Sequence, residues 1–198
     1  MKKLLLVGSV LLVAVQAYSQ GSIVFNNRVT GSVVARIYGN QAGNSLELRT
    51  GNTATDTPAG TQTYSGPTLE GPQWVAQLFG GPLGTADASL VALTPTTTFR
   101  TGLAAGFING VVVTVPGIGE GSRARLQMRV FDNTVASTYA TSLNRGASLS
   151  FDSQPLGGVA PPPNMVGLTA FNVAVVPEPS TIALGALGTL FFLIRRRK

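Results

Sequence analysis

Nine residues past the middle of the chain, Ser122-Arg123-Ala124-Arg125-Leu126-Gln127-Met128-Arg129-Val130, alternate almost without a break between polar and apolar side chains. A period of two places Arg123, Arg125, Gln127 and Arg129 on one face of an extended chain and Ala124, Leu126, Met128 and Val130 on the other, the pattern of a half-buried strand. Three like charges along one strand face repel. That face is therefore expected to be fully wet, or matched by acids or a ligand on a neighbouring strand.

Further short apolar stretches read the same way: Ser22 to Asn26, Ser32 to Tyr38, Ser45 to Arg49, Gln73 to Phe79, Ser89 to Leu93, Thr96 to Thr101, Asn109 to Val115, Ala147 to Phe151 and Leu168 to Val175. Turn formers such as Gly39-Asn40, Gly80-Gly81-Pro82 and Pro116-Gly117 bound many of them, and no long helical pattern alternates with them. Short strands at this spacing predict an all-β fold, a single β-sandwich, with a jelly-roll-like order as one arrangement that fits. Asn109-Gly110 also stands at a hairpin point that would join Phe107-Ile108 to the Val111 run. Thr50 to Gly71, rich in Thr, Gly and Pro, is expected to be a long surface loop. Pro155 to Asn164 is a stiff connector, an internal crossing if Leu168 to Val175 closes the sheet and a stalk if it does not.

The formal net charge of +6 over 198 residues suggests nucleic acid until its location is examined. Six of the fourteen basic residues lie at the ends, as Lys2, Lys3, Arg195, Arg196, Arg197 and Lys198, and the eight in between face seven acids. A nearly balanced middle, with no phosphate-cradling glycine loop ahead of a helix, disfavours a nucleic-acid partner. The chain has no Cys and no His, which excludes disulfides, thiol chemistry, most hydrolase triads and zinc sites. No cofactor or metal is expected.

The two ends read as addresses. Met1-Lys2-Lys3, an apolar run from Leu4 to Val15 and the small-residue site Val15-Gln16-Ala17 make a signal peptide over residues 1–17, with Tyr18 as the first mature residue. Secretion machinery and a signal peptidase are its expected partners. At the other end Pro177-Glu178-Pro179 precedes an apolar run over residues 181–194 and the tail Arg195-Arg196-Arg197-Lys198. As a helix those fourteen residues cover about 21 Å against a hydrocarbon core of about 30 Å, a length suited to a temporary membrane stop. Four consecutive cations stay cytoplasmic and leave the exported body on the far side. The two prolines keep Glu178 on extended, accessible backbone.

Pro177-Glu178-Pro179-Ser180, the apolar helix and the terminal cations together resemble the PEP-CTERM sorting signal of Gram-negative bacteria. The resemblance covers Val176 to Lys198. It implies export, processing by an exosortase, a membrane-bound transpeptidase-like enzyme, and an association with extracellular polysaccharide or biofilm. Gly21 to Asn27, Trp74 to Pro82 and Leu126 to Asp132 are similar to recurring segments of sorting-signal proteins from Verrucomicrobia-like bacteria. The implied organisation is a signal peptide at 1–17, a β-domain at 18–175 and a sorting signal at 176–198.

Candidate site residues are few. Trp74 and Tyr64, with Tyr38 and Tyr139, offer aromatic faces suited to sugar rings, against a rival role in core packing. Arg123, Arg125 and Arg129 offer charges for an acidic polysaccharide, against a plain solvated strand face. Asp132, Asn133, Asp152 and Asp56 lack the loop spacing of a calcium site and read as turn caps. No catalytic residue stands out. The expectation is a cell-surface or matrix protein of structural or adhesive role, with a carbohydrate-binding module, or less readily a carbohydrate-acting enzyme, as the alternative.

Overall fold

A computed structural model describes residues 20–134 and 136–176. The signal peptide, the Pro177-Glu178-Pro179 motif, the apolar run 181–194 and the tail Arg195 to Lys198 lie outside the described residues. The described chain is mostly β, without an α-helix. Its strands are β1 (Gln20–Phe25), β2 (Arg28–Val29), β3 (Val33–Val34), β4 (Ile37–Tyr38), β5 (Trp74–Pro82), β6 (Val91–Ala92), β7 (Thr97–Thr98), β8 (Val111–Gly119), β9 (Ala124–Asp132), β10 (Asn144–Ala147), β11 (Phe151–Asp152), β12 (Phe171–Asn172) and β13 (Ala174–Val175).

The scaffold is the antiparallel pair β5–β9, in register over nine residues from Trp74↔Asp132 to Pro82↔Ala124. It sits in a seven-stranded antiparallel sheet ordered β13-β10-β9-β5-β6, with β11 also on β9 and β7 also on β5. The alternation of Ala124, Leu126, Met128 and Val130 is met: all four are fully buried, and Ala76 and Leu78 of β5 join them. Against this face lies the antiparallel ribbon β1–β8, whose Ile23, Phe25, Val113 and Val115 complete one hydrophobic cluster. A Cβ at Gly80 would stand 3.0 Å from both Leu126 and Leu93 and 3.5 Å from Val115. The missing side chain is what lets β8 cross so close to the sheet.

The remainder is held by another device. Three buried asparagines plug the backbone of loops that have no ladder. Asn27 Nδ2 donates to the carbonyls of Ala35 (2.7 Å) and Gly106 (2.9 Å), and its Oδ1 accepts from Ile108 N (2.9 Å). Asn172 accepts from Arg49 N and donates to the carbonyls of Glu47 and Val173. Asn52 accepts from Ala170 N. A buried peptide group must find a partner or cost its desolvation, and these side chains supply it.

Several expected strands are corrected by such bonds. Ser45 to Arg49 is no strand: Ser45 and Leu46 lie in a turn in which Glu47 N donates to Asn44 O, and the Asn172 side chain takes the Glu47 carbonyl and the Arg49 N–H. Asn109-Gly110 makes no hairpin, since Ile108 bridges Phe99 and Asn109 N donates to Thr98 O before the chain turns to join β1. The stretch Ala147 to Phe151 is broken: Ala147 faces Arg129 while Phe151 faces Leu126, one residue too many on this side, which is a bulge. Ser148 fills the gap, its hydroxyl accepting from Met128 N at 3.1 Å. The loop 50–71 lies pinned on the body, with Asn52, Asp56 and Leu69 buried. Residues 155–164 are a crossing between strands of the body, anchored by Gly157 pairing with Ser22 and exposed over 158–161, and β12 then runs parallel to β4 while β13 closes on β10.

Candidate functional site

The face of β5–β9 turned away from the core carries a cavity of about 660 Å³. Its floor is the odd-numbered row Val75, Gln77 and Phe79 of β5 beside Arg129 and Phe131 of β9; its wall is the loop at Tyr139. Cross-strand register sets Gln77 opposite Arg129 and Val75 opposite Phe131. The Arg129 guanidinium lies 4.0 Å from the centre of the Phe79 ring and 5.2 Å from that of Tyr139. Its Nε donates to Gln127 Oε1 (2.7 Å) and Nη2 to Asp87 O (2.6 Å). Burial holds this guanidinium below its usual value, and burial likewise raises the Tyr139 phenol. Among the described residues no acid lines the cavity; the rings of Phe79 and Phe131 give it apolar surface and Gln77 and Arg129 give it polar groups.

Of the candidate residues named from the sequence, Arg129, Tyr139 and Asn133 line the cavity, and the others lie elsewhere. Arg125, four positions along the same strand face, is matched: Nη1 reaches Asp152 at 3.2 Å and Nη2 reaches Ser150 at 2.6 Å. Arg123, expected within the strand, precedes it and is exposed. Trp74 shares parity with Ala76 and Leu78 and packs half-buried against the core. Tyr64 stacks face to face on Tyr38, centroids 4.3 Å apart and planes 4° apart, and its hydroxyl is directed at the carbonyls of Gly51 and Ala170. Two stacked rings cover one another and so do not make a coplanar platform for a sugar.

The acids are dispersed. Asp132 accepts from Thr134 N and Oγ1 as a turn cap, Asp152 pairs with Arg125, and the buried Asp56 accepts from Thr53 N. Among the described residues no three metal-ligating side chains come together.

A second group was not legible in the sequence. Arg28 and Arg36 hold their guanidinium carbons 4.9 and 4.6 Å from the centre of one buried ring, Phe107. Arg100 N donates to Phe107 O, beside the Phe99–Ile108 bridge, which makes Arg100 the cross-strand neighbour of that ring. Among the described residues none of the three arginines has an ion-pair partner; nearby Glu70 accepts from Gly102 N instead. The arginines come from three separated segments, so no local motif announced them. The cavity did leave a trace: Val75, Phe79 and Phe131 are apolar on the parity where their strands are otherwise polar.

The end of the body abuts the segment that follows. Val175 N donates to Ser45 O (2.8 Å) and Val176 N to Leu143 O (2.7 Å), and Pro177 comes next. No curated protein and no solved structure matches the chain. Residues 175–198 match the PEP-CTERM protein-sorting motif, beginning inside the last strand, and the motif implies an exported, exosortase-processed protein sorted to the cell surface.

Proposed function

We propose that this chain is a cell-surface or extracellular-matrix protein of structural or adhesive role, left outside the inner membrane after an exosortase acts near Pro177-Glu178-Pro179. The observation that carries the reading is the junction: the sorting motif starts at Val175, where the described residues are still hydrogen-bonded into the body up to Val176, and four residues of sequence separate that point from the apolar run. We read the sheet and the β1–β8 ribbon as a β-sandwich of unequal layers, the smaller one lacking the four-stranded sheet of a jelly roll. A Verrucomicrobia-like source is proposed only on the resemblance of Gly21 to Asn27, Trp74 to Pro82 and Leu126 to Asp132. The reading assigns no catalytic step. It is tested by intact mass and fractionation of the protein in its own host, wild type against Glu178→Ala. Loss of Arg195 to Lys198 from the wild type alone supports it; the tail retained in both, with the same fractionation, overturns it.

A second reading, contact with an acidic extracellular polysaccharide, is favoured by Arg28, Arg36 and Arg100 around Phe107. Three arginines grouped at Phe107, none with an ion-pair partner among the described residues, suit repeated carboxylates, through contacts that weaken with salt. Wild type is expected to bind a polyuronate and not neutral dextran in affinity electrophoresis, and a triple Arg→Ser variant at these positions to bind at least about tenfold more weakly, since each 1.4 kcal/mol is a factor of ten. Equal binding by the variant defeats this reading and leaves the first untouched.

A further inference from the structure

Where the body hands over to the sorting segment, four large apolar side chains stand exposed in one place. Val175 bonds to Ser45 on one side and faces Asn144 on the other, and Val176 bonds to Leu143. The backbone therefore draws residues 45–48, 143–144 and 175–176 into adjacent rows. In those rows Leu46, Leu48, Leu143 and Val175 are 56%, 55%, 44% and 37% exposed. Single exposed leucines are ordinary; a group of them at the chain's exit marks a surface meant to be covered.

The distance to the membrane says what covers it. Between Val176 and the apolar run that starts at Thr181 stand four residues, and five backbone steps at about 3.6 Å reach about 18 Å when fully extended. The headgroup layer takes up about 5–8 Å of that on one side. The exit edge can thus stand no more than about 10–13 Å above the headgroups, and any bend in the connection brings it to them. Glu47, between Leu46 and Leu48, is the carboxylate an anionic bilayer would repel, and Arg49 Nε donates to it at 2.7 Å.

We infer that Leu46, Leu48, Leu143 and Val175 form a lipid-facing foot, which rests in the headgroup region while the sorting segment is in the membrane and sets how the body stands at the processing site. The inference rests on the reading of 176–198 as a membrane-held sorting segment. Shallow insertion of such side chains is driven by burial of apolar surface, as for interfacial helices.

The chain has no cysteine, so single-cysteine variants can each carry one environment-sensitive fluorophore. The exported chain is purified from a host that lacks an exosortase, so that the sorting segment remains attached, and is placed in nanodiscs of phosphatidylethanolamine and phosphatidylglycerol with headgroup-level spin-labelled lipid as quencher. Labels go at Leu46→Cys, at Val112→Cys, an equally exposed position on β8, and at Thr189→Cys within the apolar run. The expected result is strong quenching at 189, at least about twofold more quenching at 46 than at 112, and loss of that excess when Leu48 and Leu143 are also changed to Glu. Quenching at 189 with 46 no different from 112 overturns the foot and leaves the sorting reading standing. A 46 label shielded from aqueous iodide but not reached by lipid quencher also overturns it, because a second protein copy then covers the row. No quenching at 189 overturns both readings.

Discussion

The two regions of this body solve the same problem by opposite means. The β5–β9 region satisfies its backbone with a nine-residue ladder and spends its side chains on packing, burying Ala76, Leu78, Leu126, Met128 and Val130. The region of residues 27–71, with 105–108 and 168–173, has two-residue strands and satisfies its backbone through scattered single backbone–backbone bonds, joined at key points by the amides of Asn27, Asn52 and Asn172. A ladder depends on many equivalent bonds and tolerates the loss of one. A plug concentrates several bonds in one side chain, so single substitutions should be felt very unequally.

The largest effect on the plugged region is expected at Asn27. Asn27→Ala leaves the Ala35 carbonyl and the Ile108 N–H buried without a partner, at about 1–3 kcal/mol each, while Gly106 O keeps its bond from Ile37 N, so a loss of at least about 2 kcal/mol in urea denaturation is expected. Hydrogen exchange sharpens the contrast: amides of residues 33–38 and 106–108 should lose protection while those of β5 and β9 keep theirs, as for a separate cooperative unit. Leu78→Ala, fully buried in the ladder region, should cost about 2–5 kcal/mol through its cavity and reduce protection throughout. If the two variants give the same exchange pattern, the regions unfold as one and the contrast is broken.

That contrast also explains what could be read from the sequence. Strict alternation over residues 122–130 revealed β9 and its buried face, and left its charged face to be either wet or matched, because strand periodicity is a local property of side chains. The sequence did not reveal what a single amide does at long range: Asn172 reaches Glu47 and Arg49 across more than a hundred residues, so Ser45 to Arg49 looked like a strand with a strand partner. Tyr64 offers a face for sugar contact or for packing when read locally, because nothing local shows that Tyr38 covers that face. The sorting motif was legible in full because a processing enzyme reads it as local sequence. Arg28, Arg36 and Arg100 meet only through Phe107, and Phe107 is buried by tertiary contacts.

Tyr64 offers a pH handle on the plugged region alone. Its hydroxyl ties Gly51 to Ala170, and burial first, then nearby Tyr38 and Asp56, push its pKa well above the ordinary 10.0. Above pH 10 the unfolded chain releases this proton while the folded chain keeps it, so the stabilisation present below pH 10 is lost as pH rises further. Thermal melts should show stability falling between pH 10 and 11.5. Tyr64→Phe should cost about 1 kcal/mol at pH 8, the net value of one hydrogen bond, and flatten the alkaline slope. An unchanged slope would move the effect to Tyr38 or Tyr139, whose phenols are also raised by burial.

On the ladder's outer face the effects should be smaller. Arg129→Met keeps a long apolar stem over Phe79 but removes the cation and its bond to Asp87 O. A cation over an aromatic face is worth about 0.5–2 kcal/mol according to its desolvation, so a loss near 1 kcal/mol is expected. Amides of residues 85–90 should then exchange faster while the β5–β9 ladder is unchanged.

Arg125 should matter least, although it makes one of the two ion pairs among the described residues. Its side chain and that of Asp152 are 32% and 49% exposed, and exposed pairs contribute about 0–1 kcal/mol because water competes and two long side chains must be ordered. One buried nitrogen, Arg125 Nε, also has no partner. Arg125→Ala therefore gives up contacts to Asp152 and Ser150 but also removes an unpaired donor, and the two changes oppose each other. A shift within about 0.5 kcal/mol is expected in urea denaturation, with little dependence on salt. A loss above about 1.5 kcal/mol would place this face with the plugged region, held by a few concentrated polar contacts, and the distinction between ladder and plug would then have to be drawn within β9 itself.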